Sequence, residues 1–181
     1  MLRAIFTILV MTVLVVLVGT PLLILGFIHP SPRLLAWGSN LWSRAVLFCA
    51  GARLTVEGWE RIADGAPRFY LGNHQSGLDI PITIAALRGQ VRFMAKDTLF
   101  KIPLFGWVIG QYGYAPVDRS NARNTHKTLE RMFERLKRNP VSLAVFPEGT
   151  RSRTPQMGPF RRGTIKVAQR GVKAVPGDAG L

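Results

Sequence analysis

Residues 141–151 read Val-Ser-Leu-Ala-Val-Phe-Pro-Glu-Gly-Thr-Arg, and this stretch decides the fold class. Its apolar run from Val141 to Phe146 predicts a buried strand that ends at Pro147, because proline cannot donate to a strand ladder. Residues 121–138, just before it, predict an amphipathic helix, because apolar residues recur about once per helical turn and form one face. That face comprises Leu129, Met132, Phe133 and Leu136. Polar residues that follow such a strand lie where α/β folds usually bind ligands.

The alternation of strands and helices continues on both sides of this stretch. Further strands are predicted at residues 53–58, 68–73, 91–96 and 114–119, and another is predicted to start at Val172. Helices are predicted over residues 79–87 and 164–169. Strands that alternate with helices predict an α/β domain.

The first thirty residues are the most apolar part of the chain. Residues 4–28 carry no charge, and a helix of this length spans about 37 Å, enough to cross a bilayer core. A cleaved signal peptide is the alternative, but the block is long and no small-x-small site follows it. Pro21 allows either a kinked span or a helix that turns back within one leaflet. Residues 34–50 predict a second helix, at the headgroup level or packed on the domain.

The composition favours anionic partners. The chain has 24 Lys and Arg residues and ten Asp and Glu residues, which give a formal net charge of +14. Nucleic acid, acidic lipids and phosphorylated substrates all fit that charge, and the apolar N-terminus favours a lipid surface. The single cysteine, Cys49, excludes an internal disulfide framework, and no Cys/His cluster has zinc spacing. No metal site and no nucleic-acid partner are therefore expected.

The first candidate motif is Asn73-His74-Gln75-Ser76-Gly77-Leu78-Asp79. A loop that enters a helix would let the Asp79 carboxylate bond one imidazole nitrogen of His74. The other nitrogen could then accept a proton from a hydroxyl group. A satisfied surface pair is the alternative for this spacing.

Two further motifs carry basic residues. In the loop at residues 146–153, Gly149 permits close backbone approach and Arg151 can bind a phosphate group through two hydrogen bonds. A turn with a surface ion pair is the alternative there. Between residues 96 and 119, Lys96, Lys101 and Arg119 are interspersed with large apolar residues, which suits a site for a phosphate beside an acyl chain.

In this order and spacing, the three motifs resemble those of the PlsC-like glycerophospholipid acyltransferases, the lysophosphatidic acid acyltransferase family. His-x4-Asp, a Lys-rich segment ending in Pro-Val-Asp-Arg, Phe-Pro-Glu-Gly-Thr-Arg-Ser and a later Val-Pro correspond to the family pattern over residues 50–176. Phe160-Arg-Arg-Gly163 is similar to the segment between the last two motifs. The resemblance implies the glycerolipid acyltransferase fold, a mixed sheet flanked by helices, behind an N-terminal hydrophobic helical anchor. It also suggests membrane-anchoring helices in residues 1–50 and an acyltransferase domain in residues 51–181.

The resemblance further implies a reaction and a site. An acyl group would pass from acyl-CoA or acyl-carrier protein to a lysophospholipid hydroxyl, most simply converting lysophosphatidic acid into phosphatidic acid, with no cofactor. His74 would be the base and Asp79 would orient it. The implied substrate-binding residues are Lys96, Lys101, Arg119, Glu148, Gly149, Thr150 and Arg151. The implied location is a membrane, the bacterial inner membrane, with the site on its cytoplasmic side.

Three other functions remain open on the sequence. Family members continue past the Val-Pro element, so the domain is expected to be truncated at its C-terminus, and a non-catalytic paralogue is one alternative. A basic, membrane-tethered binding protein is a second. A serine hydrolase that uses Ser76 is a third, disfavoured because the chain has no Gly-x-Ser-x-Gly elbow.

Overall fold

The computed structural model describes residues 2–28, 31–62, 66–89, 91–118, 122–152, 154 and 156–174. The chain divides into two compact units. The first unit comprises Met1–Glu57, Leu78–Gln90 and Thr98–Gly113. The second comprises Gly58–Gly77, Val91–Asp97 and Tyr114–Leu181. Each unit therefore combines segments that are distant in the sequence.

The first unit is helical. Its helices are α1 (Leu2–Leu14), α2 (Thr20–Ile28), α3 (Pro32–Ala50), α4 (Asp79–Ala86) and α5 (Phe105–Gln111). A π-helical turn at Val15–Gly19 joins α1 to α2 just before Pro21, whose ring lacks the N–H that a regular helix needs. The stretch Ile5–Ile28 is long and apolar enough to cross a membrane, and 17% of its most apolar part is buried. The helices predicted over residues 4–28 and 34–50 are confirmed.

Small residues and one polar side chain bring these helices together. Gly89 has a φ of 78°, and a Cβ atom there would stand 2.0 Å from the carbonyl oxygen of Ala36 in α3. Gln111 in α5 donates from Nε2 to the carbonyl oxygen of Leu23 in α2, at 3.1 Å. These contacts fix α2, α3, α4 and α5 in close packing.

The second unit contains a four-stranded sheet. Its strands are β1 (Phe69–Leu71), β2 (Val91–Lys96), β3 (Ala115–Val117) and β4 (Ser142–Val145), in the order β1-β4-β2-β3. Every pairing is parallel, with Phe69 opposite Leu143, Phe93 opposite Ala144 and Met94 opposite Ala115. The α/β class is confirmed, whereas the mixed strand directions expected for the sheet do not occur among the described strands.

Two helices, α6 (Ala122–Arg138) and α7 (Arg162–Ala174), pack against this sheet and against each other. The apolar face predicted for α6 is buried in the core of the unit. That core comprises Ala115, Leu129, Met132, Phe133, Leu136, Leu143 and Val145. Because all four strands are parallel, the segments that follow β1, β2 and β4 leave the sheet at one edge.

Two predicted strands are wrong. Residues 53–57 form no strand, and the exposed side chains of Leu54 and Val56 show that their apolar alternation has no sheet partner among the described residues. Residues 172–174 belong to the end of α7, which runs past the residue where the helix was predicted to stop. The Val-Pro element at residues 175–176 lies outside the described residues.

Candidate active site

The loops that follow β1 and β4 form the centre of the candidate site. Leu71 and Val145, the last residues of these strands, lie opposite each other in the parallel register. The N–H of Gly72 donates to the carbonyl oxygen of Val145 at 3.2 Å, so the segments that follow β1 and β4 leave the sheet side by side. We call residues 72–77 the histidine loop and residues 146–152 the arginine loop. Their shared origin places two predicted motifs next to each other.

Glu148 connects the two loops from a buried position, with 3% of its surface exposed. Its Oε1 accepts the N–H of His74 at 2.7 Å, and its Oε2 accepts the N–H of Gly158 at 2.9 Å. The carbonyl oxygen of His74 accepts the N–H of Ser152 at 2.7 Å. Both backbone polar groups of His74 are therefore bound to the arginine loop, and the bond to the Glu148 carboxylate is of the strong, charge-assisted kind.

Aromatic stacking holds the His74 ring. The ring lies on Phe146 with 4.4 Å between centroids and 15° between planes. Phe146 in turn stacks on Phe93 at 6.2 Å, and Phe93 meets the edge of Tyr114 at 5.4 Å. Stacking uses the face of the imidazole, whereas its two nitrogens lie at the ring edge, where hydrogen bonds form.

The arginine loop turns at Gly149, which has a φ of 67° and donates its N–H to the carbonyl oxygen of Phe146. Arg151 is exposed two residues later, and its Nη1 lies 3.7 Å from the point that a Cβ atom at Gly77 would occupy. A guanidinium group therefore borders the histidine loop. An imidazole beside a guanidinium group can combine proton transfer with anion binding.

Comparison with known proteins identifies the family of the chain. The family model named Acyltransferase matches residues 53–176 of the chain. The chain belongs to the acyltransferase family. The resemblance to PlsC-like acyltransferases that the motifs indicated is confirmed.

Several relatives of this chain carry specific names. A chloroplastic 1-acyl-sn-glycerol-3-phosphate acyltransferase of Arabidopsis thaliana is 35% identical over 140 residues, which are 76% of this chain and 38% of the relative. A 1-acyl-sn-glycerol-3-phosphate acyltransferase of Haemophilus influenzae is 32% identical over 108 residues, 59% of this chain and 45% of the relative. The chain spans about two fifths of the length of the first relatives it matches.

A solved structure also matches the fold. The crystal structure of the 1-acyl-sn-glycerophosphate (LPA) acyltransferase PlsC from Thermotoga maritima superposes with a TM-score of 0.79 and 25% sequence identity. The match covers 94% of this chain and 69% of that protein.

The second unit of the chain brings five predicted site residues together: His74, Glu148, Gly149, Thr150 and Arg151. Lys96 is the exposed last residue of β2, at the same edge of the sheet. Asp79 begins α4, and Lys101 ends the 3-10 helix Asp97–Lys101. These two residues belong to the first unit, so the pairing of His74 with Asp79 stays a prediction. Arg119 lies outside the described residues.

Sequence reasoning missed three contributors to this site. Phe93 supports the aromatic stack from the middle of β2, where it resembled any core residue. Gly158 binds Glu148 from a loop whose sequence gave no signal. Arg161 donates its N–H to the carbonyl oxygen of Pro147 at 2.9 Å, and the Phe160-Arg-Arg-Gly163 segment was the available clue. No group of three or more His, Cys, Asp or Glu residues suited to a metal ion occurs among the described residues.

Proposed function

We propose that this chain transfers a fatty acyl group from an acyl thioester to the free hydroxyl of a lysophospholipid in phospholipid synthesis. The simplest acceptor is lysophosphatidic acid, which would yield phosphatidic acid, and the donor is acyl-CoA or acyl-carrier protein. The observation that supports this most strongly is the bond from the backbone N–H of His74 to buried Glu148, which, with the stacking of the His74 ring on Phe146, holds an imidazole beside the arginine loop. The names of its relatives and its family membership support the same reaction.

In this proposal His74 is the general base. One imidazole nitrogen takes the proton of the acceptor hydroxyl as the oxygen attacks the thioester carbonyl carbon. The carbon–sulfur bond then breaks, and the leaving thiolate receives the proton from the imidazolium. Asp79 orients the ring through the other nitrogen. No acyl-enzyme forms, so the reaction needs no serine or cysteine nucleophile.

The acceptor phosphate would bind to the basic residues Arg151, Lys96, Lys101 and Arg119. Gly149 and Thr150 shape the turn that presents Arg151. Glu148 acts differently from these residues, because both of its oxygens already accept backbone N–H groups and its charge would repel a phosphate. Its role in the proposal is to position His74.

The first unit would bind the protein to a bilayer, with residues 1–50 as the anchoring helices and residues 51–181 as the acyltransferase domain. Many large apolar side chains of this unit are exposed, which is unfavourable in water and favourable in hydrocarbon. The most exposed of them are Leu2, Ile8, Leu17, Phe27, Ile28, Phe48 and Trp107. The membrane would be the bacterial inner membrane, with the site on the cytoplasmic side, where both donors occur.

A transfer assay tests this function. The full chain in detergent micelles, given acyl-CoA and lysophosphatidic acid, should release free thiol and form phosphatidic acid. His74→Ala should lower kcat by roughly 10²- to 10⁴-fold, the range typical of general bases. Melting temperature would confirm that the variant folds.

Two controls separate the alternatives. Ser76→Ala should retain activity, whereas a serine hydrolase would lose it and would also release thiol without any acceptor. Steeply salt-dependent lipid or nucleic-acid binding without thiol release would instead indicate a basic binding protein. Unchanged transfer by His74→Ala would refute the assigned base.

A further inference from the structure

The segment that follows the arginine loop is strongly basic. Residues 151–173 include seven Lys and Arg residues and no acid. The nearest acid, Glu148, is buried and binds two backbone N–H groups. Among the described residues, no ion pair engages Arg151 or Arg161. In the described part of the chain, these two arginines are therefore not ion-paired with a carboxylate.

Arg161 differs from the other basic residues of this segment because its position is fixed at two points. Its N–H donates to the carbonyl oxygen of Pro147 at 2.9 Å. Its side chain crosses the open side of Gly149, where Cδ and Nε lie 2.9 and 3.2 Å from the point that a Cβ atom would occupy. Any residue larger than glycine at position 149 would displace this side chain, so the turn is shaped around Arg161.

The two arginines border the two loops of the site. Arg151 lies beside Gly77 of the histidine loop, and Arg161 lies over Gly149 of the arginine loop. Glu148 links His74 to Gly158, which lies between Arg151 and Arg161 in the sequence. Two guanidinium groups can form several charge-assisted hydrogen bonds with the free oxygens of a phosphate monoester, whose charge is near −2 at neutral pH. A phosphodiester carries one charge and has fewer free oxygens.

We propose that Arg161 is a further acceptor-phosphate-binding residue, which acts with Arg151 to select phosphate monoester over phosphodiester headgroups. This inference rests on the proposed function, because it assumes that the ligand is a phosphorylated acceptor. It narrows the acceptor class to lysolipids with a terminal phosphate, such as lysophosphatidic acid, and disfavours lysolipids whose phosphate is esterified on both sides.

Arg162 offers a matched control. It is the same residue type, one position further on, exposed at the start of α7, and it is not among the nearest neighbours of Gly149. The experiment measures acyl transfer by the full chain in mixed micelles to lysophosphatidic acid and to its methyl ester, a diester with the same acyl chain. The variants are Arg161→Ala, Arg161→Lys and Arg162→Ala.

Arg161→Ala should raise KM for lysophosphatidic acid by about 10-fold or more, with kcat little changed, because a charge-assisted bond is lost. KM for the methyl ester should change less than about threefold, so discrimination between the two acceptors falls. Arg161→Lys should recover part of the loss, and Arg162→Ala should behave as the wild type. Equal shifts for both acceptors, or equal effects of Arg161→Ala and Arg162→Ala, would overturn the inference.

A binding measurement separates this inference from the proposed function. Absence of acyl transfer by the wild-type chain would count against the function, and calorimetric titration with glycerol 3-phosphate would then decide the inference. About 10-fold weaker binding by Arg161→Ala than by Arg162→Ala would support it. Equal binding by the two variants would overturn it, and melting temperatures would identify any variant that fails to fold.

Discussion

The apolar side chains of the α1–α2 helix and those of helix α6 lie in opposite environments. In α6, Leu129, Met132, Phe133 and Leu136 are each at most 7% exposed, and the charged residues face outward. In the α1–α2 helix, Leu17, Phe27 and Ile28 are 65–78% exposed. The first helix lacks a polar face, whereas the second has one. Protein packing therefore covers the apolar face of α6, whereas it leaves apolar side chains of the α1–α2 helix uncovered, which is unfavourable in water.

A matched pair of phenylalanine substitutions tests this contrast most directly. Phe133→Ala removes a side chain that is 4% exposed and should destabilise the fold by about 3–5 kcal/mol through lost burial and a residual cavity. Phe27→Ala removes one that is 78% exposed and should change the free energy of unfolding by less than about 0.5 kcal/mol. Urea unfolding in detergent would measure both, and equal losses would contradict the comparison.

A new charge should weaken membrane binding when it is placed on the α1–α2 helix, and should not do so when it is placed on helix α7. Leu17→Arg places a guanidinium group on the exposed apolar helix and should cost about 2.5–3.5 kcal/mol of membrane insertion. Gln169→Arg adds the same charge to an exposed position of α7 and should cost nothing measurable. Flotation with anionic vesicles would report the bound fraction. If Leu17→Arg floats as well as Gln169→Arg, the α1–α2 helix does not face hydrocarbon.

The link between the loops in the second unit gives a third test. Glu148→Gln replaces one carboxylate oxygen by an NH₂ group, which cannot accept the N–H of His74 or Gly158. Loss of one of these hydrogen bonds should lower the free energy of unfolding by about 1.5–3 kcal/mol. It should also lower kcat by roughly 10- to 100-fold, because His74 loses its fixed position. Faster amide hydrogen exchange at residues 74 and 158 would accompany it. Glu134→Gln, at an exposed position of the same unit, is the control.

The sequence predicted those parts of the fold whose patterns depend on one segment at a time. The α6 face, the buried β4 strand and the apolar N-terminal helix each have a local period or run, and each was found. Residues 53–57 have the alternation of a strand, but alternation does not supply a neighbouring strand. The helix α5 was missed because Gly106 and Gly110 interrupt its short apolar pattern.

The candidate site was predictable in its residue types and less so in its contacts. His74, Glu148 and Arg151 stood out as chemically capable residues in two loops. The role of Glu148 as a link to Gly158 depends on a hydrogen bond between loop segments ten residues apart, which no periodicity encodes. Arg161 was hidden for a similar reason, since its contact with Gly149 follows from a backbone turn and the Pro147 hydrogen bond.

The smallest expected effect concerns the charged outer face of α6. Lys137 Nζ donates to Glu134 Oε1 at 2.8 Å, and this bond, with the Lys137 charge, lowers the pKa of Glu134 below its ordinary value of 4.5. A carboxyl group with a lowered folded pKa stabilises the fold above its unfolded pKa, and this contribution disappears as the pH falls through the lowered folded value. The pair is exposed on both sides, so screening leaves the effect small. Comparing Lys137→Ala with the wild type by thermal melting should therefore show a slight difference at pH 7 that vanishes in acid. A difference as large as that of Phe133→Ala would mean that surface charge, and not apolar burial, stabilises α6.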